Sequence, residues 1–225
     1  MLSVQSDADR RFAEVGLFIK FLKELDKAPR KTGERFPSAR PSSPILKACT
    51  FLLLYNVIES CVRSALGQTY EEILNDGMRY TATTQKIRDL WLKQQLDVSA
   101  DSANHQTYIT LATKVAGAIS DGDVIRLDSR KLPISGNLDS DAVRVLCAKH
   151  GVNLKVAKWA KGGVEMTTIK DQRNALAHGL KSFSECGRDY AVKDLERIYK
   201  QTQHFLNGFV RSVGKFNAEH RYKQR

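Results

Sequence analysis

The sequence predicts a mainly α-helical protein: a helical bundle with an irregular insertion between its central helices. Three stretches carry this prediction. Residues 191–215 repeat Leu195, Ile198, Tyr199, Thr202, Phe205, Leu206, Phe209, Val210 and Val213 at helical spacing, one broad apolar stripe suited to a core. From Pro44 to about Leu66 the chain is apolar nearly all round, which places a helix at the centre of a bundle. Residues 8–26 repeat Phe12, Val15, Leu17, Phe18, Phe21, Leu22 and Leu25 with charges between them. A chain of 225 residues can bury a substantial core, and 1–225 is read as one helical domain.

Taken in order, the 8–26 helix is followed by a basic linker at 27–44. Pro29, Pro37, Pro41 and Pro44 exclude a regular helix there, and its five Lys/Arg residues either touch phosphates or are solvated. Pro44 suits the first turn of the central helix. Asn56 and Glu59 are the polar exceptions on that helix. Two shorter helices, 70–78 and 84–95, follow, joined near Asp76-Gly77. Residues 97–134 form the insertion, with a helix over 109–119, a turn at Asp121-Gly122-Asp123 and a short strand at 124–127. The turn lacks the further oxygen ligands of a calcium loop. A helix over 139–150 is capped by Asp139 or Ser140 and ended by Gly151. Residues 152–163 extend before a helix over 164–179. The basic tail from Arg211 to Arg225 is read as a frayed terminus or an RNA-binding end, and His204, beside the stripe of the final helix, as a polar packing residue.

The chemistry concentrates in Asp171-Gln172-Arg173-Asn174-Ala175-Leu176-Ala177-His178-Gly179. Ala175, Leu176 and Ala177 favour helix, and Gly179 is a natural residue to follow its end because it accepts φ > 0. At about 100° per residue Asn174 and His178 share a face, whereas Arg173 and His178 are roughly 140° and about 7.5 Å apart. They meet only through the reach of the arginine or across a second copy of the helix. A permanent cation beside a group that titrates near neutrality suits phosphate-ester chemistry, the arginine holding the phosphate and the histidine moving protons. Glu59 either approaches Arg173 or faces solvent or a structural partner.

Arg173-Asn174, three residues, then His178-Gly179 resembles the signature of the HEPN superfamily (higher eukaryotes and prokaryotes nucleotide-binding domain). Lys181-Ser182-Phe183-Ser184-Glu185, Tyr55-Asn56-Val57-Ile58-Glu59 and Ser135-Gly136-Asn137-Leu138-Asp139 extend the likeness to a branch of bacterial ribonuclease toxins and phage-defence effectors. The resemblance implies an HEPN-like bundle and a metal-independent endoribonuclease in which 2′-oxygen attack is served by Arg173, Asn174 and His178, with Glu59 as possible support. It also implies a homodimer with two motifs facing each other, and an antitoxin or other defence protein as a further partner. The alternative it carries is a non-catalytic nucleic-acid, nucleotide or partner-binding module.

Composition agrees with a polyanionic partner such as RNA: the net charge is +11 and the pI about 9.6. No Walker loop, dinucleotide fingerprint or zinc-spaced His/Cys cluster occurs, so neither cofactor nor metal is expected. Cys49, Cys61, Cys147 and Cys186 form no C-x-x-C pair, and Cys49 and Cys61 on one helix lie about 18 Å apart, too far for a disulfide. A reduced, cytoplasmic protein without a membrane partner is expected. The apolar run from Ala48 to Ile58 reads as too short to span a bilayer.

Overall fold

The computed structural model describes residues 2–27, 42–96, 105–134 and 136–224. Most of the linker expected at 27–44 and the start of the insertion lie outside them. Among the described residues there are eight α-helices: α1 (Leu2–Lys27), α2 (Ser43–Asn75), α3 (Gln85–Gln95), α4 (His105–Ser120), α5 (Ser140–His150), α6 (Val164–Ala177), α7 (Phe183–Arg188) and α8 (Val192–Ala218). They contain no strand. Val124 makes only an isolated bridge to Arg79, so the strand expected at 124–127 is not formed.

α2 is the central element and packs against α1, α6, α7 and α8. The expected break after Leu66 does not occur. Leu66, Thr69, Tyr70 and Ile73 keep one buried face in register, and this burial outweighs the roughly 1 kcal/mol that Gly67 costs inside a helix. Nor is α2 covered all round: Ile45, Leu52, Leu53 and Asn56 are exposed along one stripe. At 33 residues the helix is long and apolar enough to cross a membrane by length and composition. Here its buried faces lie against four helices of the bundle.

α1 buries Val4, Ala8, Phe12, Val15, Ile19 and Leu22, a narrow seam against α2 and α8. Leu17 and Phe21, expected in the core, fall outside that seam at 68% and 49% exposure. α8 carries the broad stripe expected of it: Leu195, Ile198, Thr202, Phe205, Leu206, Phe209, Val210 and Val213 are all buried. His204 is exposed, not packed.

The segment between α5 and α6 runs extended beside α8. The Lys155 amide donates to Ser212 Oγ at 2.9 Å, and a Cβ on Gly208 would sit 2.7 Å from the Lys155 carbonyl oxygen. The backbone then turns through Lys161, Gly162 and Gly163, all at positive φ, into α6. The C-terminal tail is tied down and not frayed. Fully buried Tyr222 donates to Asp76 Oδ2 at 2.7 Å, its carbonyl accepts from the Thr84 amide at 2.8 Å, and Lys223 pairs with Asp76 at 2.9 Å.

Candidate functional site on α6

α6 ends as its residues require. Gly179 stands at φ 67°, the Gly179 amide donates to the Leu176 carbonyl, and the Leu180 amide reaches back to the Ala175 carbonyl at 2.9 Å. This double closure satisfies carbonyls that the helix end leaves open. His178 occupies the C-cap, where its amide donates to the Asn174 carbonyl at 3.0 Å.

Side-chain directions follow from the helix. Ile169 and Leu176 point into the core, which turns Arg173 inward toward α2 and His178 outward. The Arg173 guanidinium lies 4.6 Å from the centre of the Tyr55 ring. It donates through Nη1 to Asn174 Oδ1 at 2.9 Å and, at a longer 3.4 Å, to the Gly136 carbonyl. Asn174 Nδ2 in turn donates to Asn137 Oδ1 at 2.8 Å. Asn174 is therefore a clamp on Arg173 and the 136–139 loop, although its sequence position put it on the histidine's face.

The loop is held by two further contacts. The Leu138 amide donates to the Tyr55 hydroxyl at 3.1 Å, and Lys170 Nζ pairs with Asp139 Oδ2 at 2.8 Å. Burial pushes the Tyr55 hydroxyl up, so the phenol stays protonated. Asp139, which also caps α5 by accepting from the Ala142 amide, stays below its ordinary value: burial raises it, but Lys170 and backbone amides outweigh that. Gly136, at φ 73°, lets the loop backbone pass the guanidinium; a Cβ there would stand 3.6 Å from both of its terminal nitrogens.

His178 is exposed, and its ring makes no hydrogen bond or contact with Arg173 among the described residues. Glu59 does not approach Arg173 either. It pairs with Arg63 one turn along α2 at 3.2 Å, and Tyr55 takes the place beside the arginine. Sequence reasoning assigned no role to Tyr55, Asn137 or the Lys170–Asp139 pair. The signal for Tyr55, Asn137 and Asp139 was their place in the Tyr55–Glu59 and Ser135–Asp139 stretches, from which the structure brings Tyr55 and the 136–139 loop to Arg173 and Asn174. What results is a ring-backed guanidinium turned inward and, on the opposite side of the helix end, an exposed imidazole turned outward.

A family model described as HEPN_MAE_28990-like HEPN matches residues 3–222. No curated protein and no solved structure gives a significant match to the chain.

Proposed function

The chain belongs to the MAE_28990-like HEPN family, and from that premise we propose that it is a metal-independent endoribonuclease. Membership of the family suggests a nuclease, RNA-binding or defence-related role. The endoribonuclease reading rests on one observation: Arg173 is held against Tyr55, Asn174 and the Gly136 carbonyl, while His178 is exposed at the helix end with no partner among the described residues.

In this reaction the ribose 2′-oxygen attacks the adjacent phosphorus, a base takes its proton, and an acid protonates the leaving 5′-oxygen. The products are a 2′,3′-cyclic phosphate and a 5′-hydroxyl. Arg173 binds the phosphate and stabilises the charge that develops on it; His178 carries the protons. One histidine does not serve easily as both base and acid in a single pass, so we place the active form in a homodimer with two α6 ends facing each other. The uncovered stripe of Ile45, Leu52 and Leu53 beside Tyr55 supports this arrangement, because a second copy would bury it. The same reading makes the protein a cytoplasmic toxin or phage-defence effector held in check by a protein partner.

The test is cleavage of RNA by purified wild type and His178→Ala in EDTA. His178 is exposed and has no partner among the described residues, so the variant should fold normally while losing roughly 10²–10⁴-fold in rate. DNA should resist, and products should end in cyclic phosphate. RNA binding with no His178-dependent cleavage or growth arrest would replace this reading by a non-catalytic binding module, which the separation of Arg173 from His178 within one chain would then explain.

A further inference from the structure

The polar face of α8 is a line of basic residues. Lys193, Arg197, Lys200, His204, Arg211 and Lys215 are all exposed, at spacings that keep them within about 60° of one another around the helix. They extend over about 33 Å. Three have acidic partners: Arg197 pairs with Glu165, Lys200 with Glu196 and Lys215 with Glu219. Lys193, His204 and Arg211 have no acidic partner among the described residues. Glu196 is already neutralised twice, by Lys200 and by Lys23 at 2.7 Å.

Beside this line stands Trp159, 76% exposed, the most exposed aromatic ring in the described structure. With Lys161, Lys193, Arg197, Lys200, His204 and the doubly paired Glu196 it lines a shallow concavity of about 340 Å³. A second concavity of about 380 Å³ lies further along α8, where Lys155 and Arg221 join Arg211 and Lys215. The turn that follows the indole has a defined backbone. Lys161, Gly162 and Gly163 all have positive φ, and a Cβ on Gly163 would lie 2.6 Å from the Phe205 ring and 2.7 Å from Ser140 Cβ. The same turn leads directly into α6, where Val164, Asp171 and His178 share one exposed face at heptad spacing. The turn and His178 are thus the two ends of one helix, about 21 Å apart.

A flat, exposed ring flanked by unpaired cations is the chemistry that takes up a nucleobase and its phosphates. We propose that Trp159 and the basic face of α8 form a track for single-stranded RNA outside the Arg173/His178 centre, with one base stacked on Trp159. This rests on the ribonuclease reading for the identity of the strand, and it assigns that enzyme a substrate of several unpaired nucleotides.

The chain has two tryptophans, and Trp91 is buried against Tyr80. A fluorescence change on ligand contact is therefore assigned to Trp159, and Trp159→Phe gives the Trp91 background. The probe is a 2′-O-methyl oligoribonucleotide of about 12 nucleotides, within the usual footprint of single-strand binders and unable to be cleaved. Wild type should show quenching on binding. Trp159→Ala should bind about 5- to 100-fold more weakly, and Trp159→Phe should retain most of the affinity while losing the quench. Lys193→Gln and Arg211→Gln should each lower the salt slope by about one. Cleavage that depends on His178 but shows unchanged Kd and KM in Trp159→Ala would overturn the track and leave the nuclease standing. Equal quenching by heparin, which has no bases, would overturn the stacking. Loss of RNA binding in Trp159→Ala, in a protein that cleaves nothing, would support the track and overturn the nuclease.

Discussion

Tyr55 has two separable tasks, and substitution separates them. Its ring backs the Arg173 guanidinium at 4.6 Å, and its hydroxyl accepts from the Leu138 amide at 3.1 Å. Tyr55→Phe keeps the ring and removes the acceptor. Leu138 is 2% exposed, so its amide is left buried and unpaired at a cost of about 1–3 kcal/mol. Tyr55→Leu removes the ring as well, a further loss of about 0.5–2 kcal/mol of cation–π attraction and a factor of roughly 2–30 in kcat/KM if the guanidinium must be fixed. Urea melts give the first quantity. Single-turnover RNA cleavage, corrected for folded fraction by circular dichroism, gives the second. Phe should therefore lose more stability than activity, and Leu should lose both. A Leu variant as fast as wild type per folded molecule would refute the idea that the ring positions Arg173. A Phe variant as stable as wild type would refute the role given to the hydroxyl.

Arg173→Lys should lose activity despite keeping its charge, because an ammonium cannot hold Asn174 and the Gly136 carbonyl while presenting a planar fork; cleavage assays alongside His178→Ala will show it. Leu52→Glu with Leu53→Glu should shift a dimer to monomer in analytical ultracentrifugation and reduce cleavage with it, since the uncovered α2 stripe is the surface we assign to the second copy. Gly163→Ala should destabilise by about 2–5 kcal/mol, combining left-handed strain with overlap on Phe205 and Ser140, whereas Gly179→Ala, also at positive φ but with open space around it, should cost only about 1–2 kcal/mol in the same melts. Lys223 and Tyr222, with His220 beside them, hold the Asp76 carboxyl down to about 2 from an ordinary 3.8. Its folded value lies below its unfolded one, so its contribution is complete above about pH 4 and is lost as pH falls toward 2. The stability gap between wild type and Asp76→Asn should close over that range.

Elements whose register is set by local chemistry were legible in the sequence. α8 shows an apolar stripe because one broad face meets the core, and Asp139, Gly151 and Gly179 mark helix ends because caps act within a few residues. The motif, and with it the family, was likewise a local pattern at 173–178. What depended on distant partners was not legible. α1 looked broadly apolar, yet the seam offered by α2 and α8 left Leu17 and Phe21 in water. α2 ran through Gly67 because tertiary burial on either side outweighs one residue's propensity. The basic tail carried no sign of its anchor, since Asp76 lies some hundred and forty residues from Tyr222 along the chain. The guanidinium's setting was hidden for the same reason: Tyr55, Gly136 and Arg173 come from three separate stretches, and periodicity describes which way a side chain leaves its helix, not what waits there. The tertiary structure decided that Arg173 turns inward onto a ring and that His178 turns out, because the core claims the α6 face bearing Ile169 and Leu176 and leaves the opposite one to water.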